Sequence, residues 1–211
     1  MMDSALGIWE TVLVLHDRGG VVMFPLGICS LLMVAVILER MWSLRASHIF
    51  PNQTIEYLRN TSKLSPEELK SFLLKSTCPV GRILSYGLSI LPASAERFKE
   101  AVHDQARREV HYLERGLIVL EIIVGVAPLL GLLGTGMGMI KVFEQIAIEG
   151  PGRSEALSQG ISEALLTTVL GLSIGIPALI AFNLFTRKIE SLELQIEQEV
   201  LFFFHRLFPS E

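Results

Sequence analysis

The stretch LIVLEIIVGVAPLLGLLGTGMGMI, residues 117–140, runs for 24 residues with a single charge, Glu121. As a helix rising 1.5 Å per residue it is long enough to cross a hydrocarbon core about 30 Å thick. Its later part, GLLGTGMG (131–138), packs four glycines and one threonine into eight residues. Glycine-rich segments often cradle phosphate, but this one lacks the necessary chemistry. A P-loop carries Lys-Ser or Lys-Thr straight after its last glycine, whereas Gly136 is followed by Met137 and Gly138. The dinucleotide fingerprint needs a third glycine where Met139 stands, and it must follow a short strand. The missing side chains therefore serve a membrane helix, not a nucleotide.

Composition agrees. Hydrophobic residues make up 50% of the chain, charged residues 19%, and mean hydropathy is +0.48. Two further runs are long enough to span: Val21 to Leu38, with 18 uncharged residues, and Ala164 to Thr186, with 23. The first is no signal peptide, because Asp3, Glu10 and Asp17 precede it in place of a basic region, and Glu39-Arg40 follows it in place of a small-residue cleavage site. Three transmembrane helices are expected.

Lysine and arginine set the orientation. Residues 39–116 hold twelve, the tail adds Arg187, Lys188 and Arg206, and only Arg18, Lys141 and Arg153 fall on the other side. Positive charge stays cytoplasmic. The plan is a periplasmic amphipathic helix (residues 1–20), spans at 21–41, 117–141 and 161–186, a cytoplasmic helical loop (42–116), a short periplasmic loop (142–160) and a cytoplasmic C-terminal helix (187–211). In the loop, Ser65, Pro66 and Glu68 form a capping-box helix start. The charged stretch with Phe98, Val102 and Val110 as apolar positions is expected to run into span two as one helix. In the tail, Ile189, Leu192, Ile196 and Val200 form an apolar stripe. No internal repeat is visible.

Catalytic and metal chemistry find no support. The five histidines make no ligand-spaced cluster. No nucleophile stands beside a histidine and a carboxylate, so no enzyme activity, cofactor or nucleic-acid partner is expected. Cys29 and Cys78 lie in different compartments and are not expected to pair.

What remains lies inside the membrane. Gly131, Thr135 and Gly138 share one face of span two; Ala164, Thr168, Gly171, Gly175 and Ala178 share one face of span three. Small residues let helices approach closely, and threonines can bond their own i−4 carbonyls, so packing alone accounts for either stripe. Together the stripes suggest more. Thr135 lies about 9 Å and Thr168 about 10 Å from the same surface, so two hydroxyls at one depth could line a polar seam. Glu163 stands at the outer mouth, where a carboxylate can also simply reach the interface. Glu121, near the cytoplasmic end, is expected to pair with a neighbouring arginine or water.

APLLGLLGTGMGMIKVF (127–143) followed by GISEALLTTVLGLSIGIPALIAFNLFTRKIESL (160–192) resembles the MotA/TolQ/ExbB proton-channel family, most closely its ExbB and TolQ branch. The likeness extends to LERMWSL after span one and to the charged helix before span two; flagellar stators of the family have four spans. The resemblance implies an all-α integral membrane protein with extended cytoplasmic helices, forming a homo-pentamer around a pore in the bacterial inner membrane. The pore would hold a dimer of an ExbD- or TolR-like single-span partner bearing an essential aspartate, with a TonB- or TolA-like protein beyond it. Thr135, Thr168 and Glu163 fall on the family's proton-pathway motifs, with Gly131, Gly138, Gly171 and Gly175 as the close-packing pore face; Pro177 and Asn183 also match. Gly136 and Met137 depart from the family's larger residues, which implies a wider pore wall.

Residue chemistry inside the membrane adds one constraint. The chain has no carboxylate at mid-membrane, so a partner must supply the protonatable group. ExbB-like energising of TonB-dependent transport is the preferred function. A TolQ-like envelope motor, a non-conducting scaffold and a solute transporter are the alternatives; the last is disfavoured by the lack of a repeat or a broken helix.

Overall fold

The computed structural model describes residues 20–44, 73, 78–90, 95–149 and 154–207. Among these residues the chain forms five helices: α1 (Met23–Ser43), α2 (Pro79–Ser89), α3 (Ala95–Glu114), α4 (Leu117–Glu149) and α5 (Ser154–Leu207). Helices α1, α4 and α5 are each long and apolar enough to cross a membrane. The chain is an all-α, multi-pass membrane protein. Two compact units divide at residues 37/38, 117/118 and 183/184. One unit contains the apolar parts of α1, α4 and α5; the other contains α2, α3 and the charged ends of α1 and α5.

In the apolar unit, α1 starts where Gly20 turns the chain at φ 64°, and Met23 N–H donates to Gly20 O at 3.1 Å. Pro25 falls in the first turn, where no helical N–H bond is lost. Two prolines sit inside helices, Pro128 in α4 and Pro177 in α5. Pro128 leaves the carbonyl of Val124 without its helical donor. Gly175 faces this place: a Cβ there would lie 2.9 Å from Pro128 Cγ and 3.9 Å from Val124 O.

The expected loop at 142–160 is largely helical. Helix α4 continues to Glu149 and α5 begins at Ser154, because neither glycine nor proline interrupts α4 before Gly150. The N-terminal amphipathic helix and the Ser65 helix start lie outside the described residues.

In the charged unit, α2 begins at Cys78, whose Sγ accepts from Gly81 N–H at 3.3 Å, with Pro79 in the first turn. Its apolar face (Val80, Ile83, Leu84, Leu88) is buried, as are Phe98, Val102 and Val110 of α3. The tail stripe is buried at Ile189, Leu192 and Ile196, while Val200 is half-buried. Phe98 and Phe204 join α3 to α5, their ring centroids 6.2 Å apart.

Helix α3 does not run unbroken into span two. The chain turns at Arg115 and Gly116. Arg40 of α1 explains the break: its Nη1 donates to Leu113 O at 2.8 Å, taking a carbonyl from the last turn of α3. A Cβ on Gly116 would lie 2.7 Å from Arg40 Cζ, so a bare backbone is needed for the guanidinium to come this close.

One ion pair is nearly buried. Arg82 of α2 donates from Nε and Nη2 to the two oxygens of Glu109 on α3, at 2.9 and 2.5 Å. The Glu109 side chain is 5% exposed and that of Arg82 50%. The hydrogen bond to Glu109 pushes the Arg82 guanidinium further up from its already high value, so the cation persists at any accessible pH. The burial asymmetry sets an order of effects. Arg82→Ala leaves a buried carboxylate with only Gln105 as donor (3.3 Å) and is expected to cost about 2–4 kcal/mol. Glu109→Ala frees a cation that can turn into water and should cost about 1 kcal/mol. Thermal melts of the two variants in detergent check the ranking; equal losses would contradict it.

Candidate functional site

Helices α4 and α5 run antiparallel, and their bare faces are turned toward each other. A Cβ on Gly171 would lie 2.6 Å from Ala127 O, and one on Gly131 2.9 Å from Thr167 O. At Gly138 it would lie 2.9 Å from Ala164 Cβ. Gly131, Gly138, Gly171 and Gly175 are all buried within the chain. The single chain thus uses these faces for its own closest helix contact. Gly136 points away, with nothing within 4 Å of its would-be Cβ.

This contact brings the two singled-out threonines together. Thr135 and Thr168 hydrogen-bond through their hydroxyls. Thr135 Oγ1 is also 3.0 Å from Ala164 O across the interface and 3.2 Å from Gly131 O on its own helix. Thr168 Oγ1 reaches Gly131 O at 3.3 Å. Back-bonding to the parent helix and bonding across the seam therefore coexist. Both side chains are half-buried, in an otherwise apolar unit.

A third hydroxyl belongs to the cluster. Thr167 is fully buried; its Oγ1 lies 2.8 Å from Ala164 O and 3.3 Å from Gly131 O. It takes up the space that Gly134 leaves open, since a Cβ on Gly134 would lie 2.5 Å from Thr167 Oγ1. Thr167 is not among the residues that the stripes singled out. The available signal was spacing: Thr167 fits the stripe from Ala164 to Gly171 as well as Thr168 does. Three hydroxyl protons thus have carbonyl or hydroxyl acceptors inside the seam, and the unshared lone pairs of the threonines remain to receive an outside donor.

Glu163 is tied elsewhere. Its Oε1 accepts from Lys141 Nζ at 2.7 Å, with the Glu163 side chain 18% exposed. A Cβ on Gly20 would lie 2.5 Å from the same oxygen, so the start of α1 rests on this pair. Five residues separate Glu163 from Thr168, about 140° around the helix, so the carboxylate and the hydroxyl leave α5 in different directions. Of the two partners expected for Glu121, arginine or water, no arginine is in place among the described residues. Glu121 is exposed and makes no ion pair among the described residues, while Arg40 holds Leu113 O and Glu39, and Arg115 lies over the Tyr112 ring at 5.1 Å.

The MotA/TolQ/ExbB proton channel family model matches residues 75–198, which include both threonines, all four glycines and Glu163. The chain belongs to this family. Among its relatives, the biopolymer transport protein ExbB-like 1 of Synechocystis sp. is 34% identical over 87% of this chain and 74% of its own length. The biopolymer transport protein exbB1 of Vibrio cholerae is 31% identical over 80% of this chain and 76% of its own. A third, the ExbB homolog of the archaeon Methanothermobacter thermautotrophicus, is 27% identical over 90% of this chain. The family is one of channel-type transport proteins, and the relatives put this chain on its ExbB side.

The packing predicts opposite outcomes for one added methyl. Gly171→Ala drives a Cβ against the backbone of α4 and is expected to destabilise the α4–α5 pair by about 1–3 kcal/mol. Gly136→Ala meets nothing in the chain and gains helix propensity, about 1 kcal/mol the other way. Unfolding of each variant in mixed micelles reads the difference.

Proposed function

We propose that this chain is the channel-forming subunit of an ExbB-type motor in the bacterial inner membrane, converting proton flow into mechanical work through a single-span partner. In this reading the N-terminus is periplasmic and the C-terminus cytoplasmic, in keeping with the lysine and arginine bias. Five copies form the pore, an ExbD-like dimer occupies it, and a TonB-like protein receives the work. The names of the relatives favour this over a TolQ-like task.

The hydrogen-bonded pair Thr135–Thr168 carries the proposal. It is a polar pair in an apolar unit, and this chain places no carboxylate at its level, so its complement comes from elsewhere. A protonated partner carboxyl can donate to a threonine lone pair while each threonine proton stays on an acceptor inside the seam, a carbonyl or the other hydroxyl. Once ionised, the same carboxylate needs a donor, and a hydroxyl must turn away from Gly131 O or Ala164 O to serve it. The two protonation states of the partner thus prefer two arrangements of the seam. The membrane potential supplies about 2.3 kcal/mol per charge per 100 mV, enough to bias the step between them. Glu163, paired with Lys141, stands at the periplasmic mouth of this path.

Thr168→Val keeps the shape and removes the hydroxyl. Reconstituted with its partner in liposomes, the variant is expected to assemble and lose proton flux, whereas Thr135→Val, which leaves Thr168 a carbonyl acceptor, retains part of it. Full flux from the variant at 168 would overturn the seam's role.

A further inference from the structure

We propose that Glu121 is the cytoplasmic-side proton acceptor of the same path, receiving by way of water the proton that the partner carboxyl releases at the threonine seam. This rests on the function proposed above.

Three observations carry it. Glu121 is the only ionisable side chain in residues 117–140, and an ionisable group within a membrane helix calls for a function. It lies on the threonine side of α4: Glu121, Pro128 and Thr135 follow at seven-residue intervals, so Glu121 and Thr135 are only about 40° apart around the helix and about 21 Å along it. And it is exposed with no ion pair among the described residues, whereas Arg40, Arg82 and Lys141 each hold a carboxylate, and Arg115 lies over Tyr112.

The small residues Gly171, Gly175 and Ala178 of α5 are packed against α4 and leave no space for water. The path runs instead along the exposed side of α4, on which Glu121, Gly125 and Gly136 lie. A span of about 21 Å is too long for direct transfer, so water must bridge it. The chemistry balances with protons alone. The partner's carboxyl loses a proton to water, the Glu121 carboxylate gains one from the near end of the water chain, and it then returns that proton to bulk water at the cytoplasmic surface. No bond to carbon changes, and no oxidant or reductant is involved.

The test uses the full-length chain co-expressed with its ExbD-type partner and reconstituted in liposomes under an imposed potential. Glu121→Gln, Glu121→Asp and Thr168→Val are compared for proton flux and for co-purification of the partner. The proposal expects Glu121→Gln to assemble with its partner and lose flux about tenfold or more, with Glu121→Asp restoring most of it. Glu121→Gln flux within twofold of the unaltered chain, while Thr168→Val is inactive, overturns the relay and leaves the seam standing. Loss of the partner from the Glu121→Gln complex also overturns it and makes Glu121 an assembly contact. If the unaltered complex conducts no protons, or Thr168→Val conducts fully, the underlying function fails and the relay falls with it.

Discussion

Everything at the site depends on how closely two helix backbones approach. Lipid tails are as apolar as leucine side chains, so membrane helices gain little by hiding apolar surface from one another. Close van der Waals contact and hydrogen bonds across the interface must hold them. Gly131 against Gly171, and Gly138 against Ala164, let α4 and α5 meet with almost nothing between them. A threonine side chain is short. Its hydroxyl reaches a carbonyl on the facing helix only when the backbones are this near, as Thr135 reaches Ala164 O and Thr168 reaches Gly131 O. The glycines and the threonines are thus one device, in which the first permit the second.

The same device has a chemical limit. Its hydroxyls are satisfied internally, but they cannot hold or release a proton at physiological pH as a carboxyl can. Two of its ion pairs serve packing: Arg82 with Glu109 joins two helices of the charged unit, and Lys141 with Glu163 gathers the ends of α4, α5 and α1. Membership of a proton channel family fits a chain that carries a hydroxyl pair within an apolar helix contact.

Much of this was legible in the residues. Long uncharged runs announce membrane helices, because no other backbone conformation satisfies itself in lipid except a closed barrel. The seven-residue spacing of Gly131 and Gly138 around Thr135, and the matching stripe on α5, placed Thr135 and Thr168 on faces that the structure brings together. Other features were hidden because they depend on distant contacts. Nothing local to Arg115 and Gly116 says that Arg40 will take the Leu113 carbonyl and end α3 there. Glu109 reads as one more charge on a charged helix until Arg82 is folded onto it. Thr167 and Thr168 are neighbours with equal claim to the stripe, and only the rotation of α5 decides which is buried. Nor does a run of small residues say what covers it: here α4 and α5 cover each other.

The choice of threonine also bears on how such a protein is made. A span leaving the insertion machinery must enter lipid with its polar groups already satisfied. Thr135 lies within reach of Gly131 O, and Thr167 of Ala164 O, each on its own helix. Span two can therefore be released alone without a stranded Thr135 hydroxyl and exchange its acceptor later, whereas Thr168, whose bonds all cross the seam, gains them only when its neighbour arrives. Asparagine or glutamine in the same places would carry two donors and an acceptor into the bilayer with no such provisional home. Insertion and helix pairing both draw on the ability of one short side chain to be content in two hydrogen-bonding arrangements.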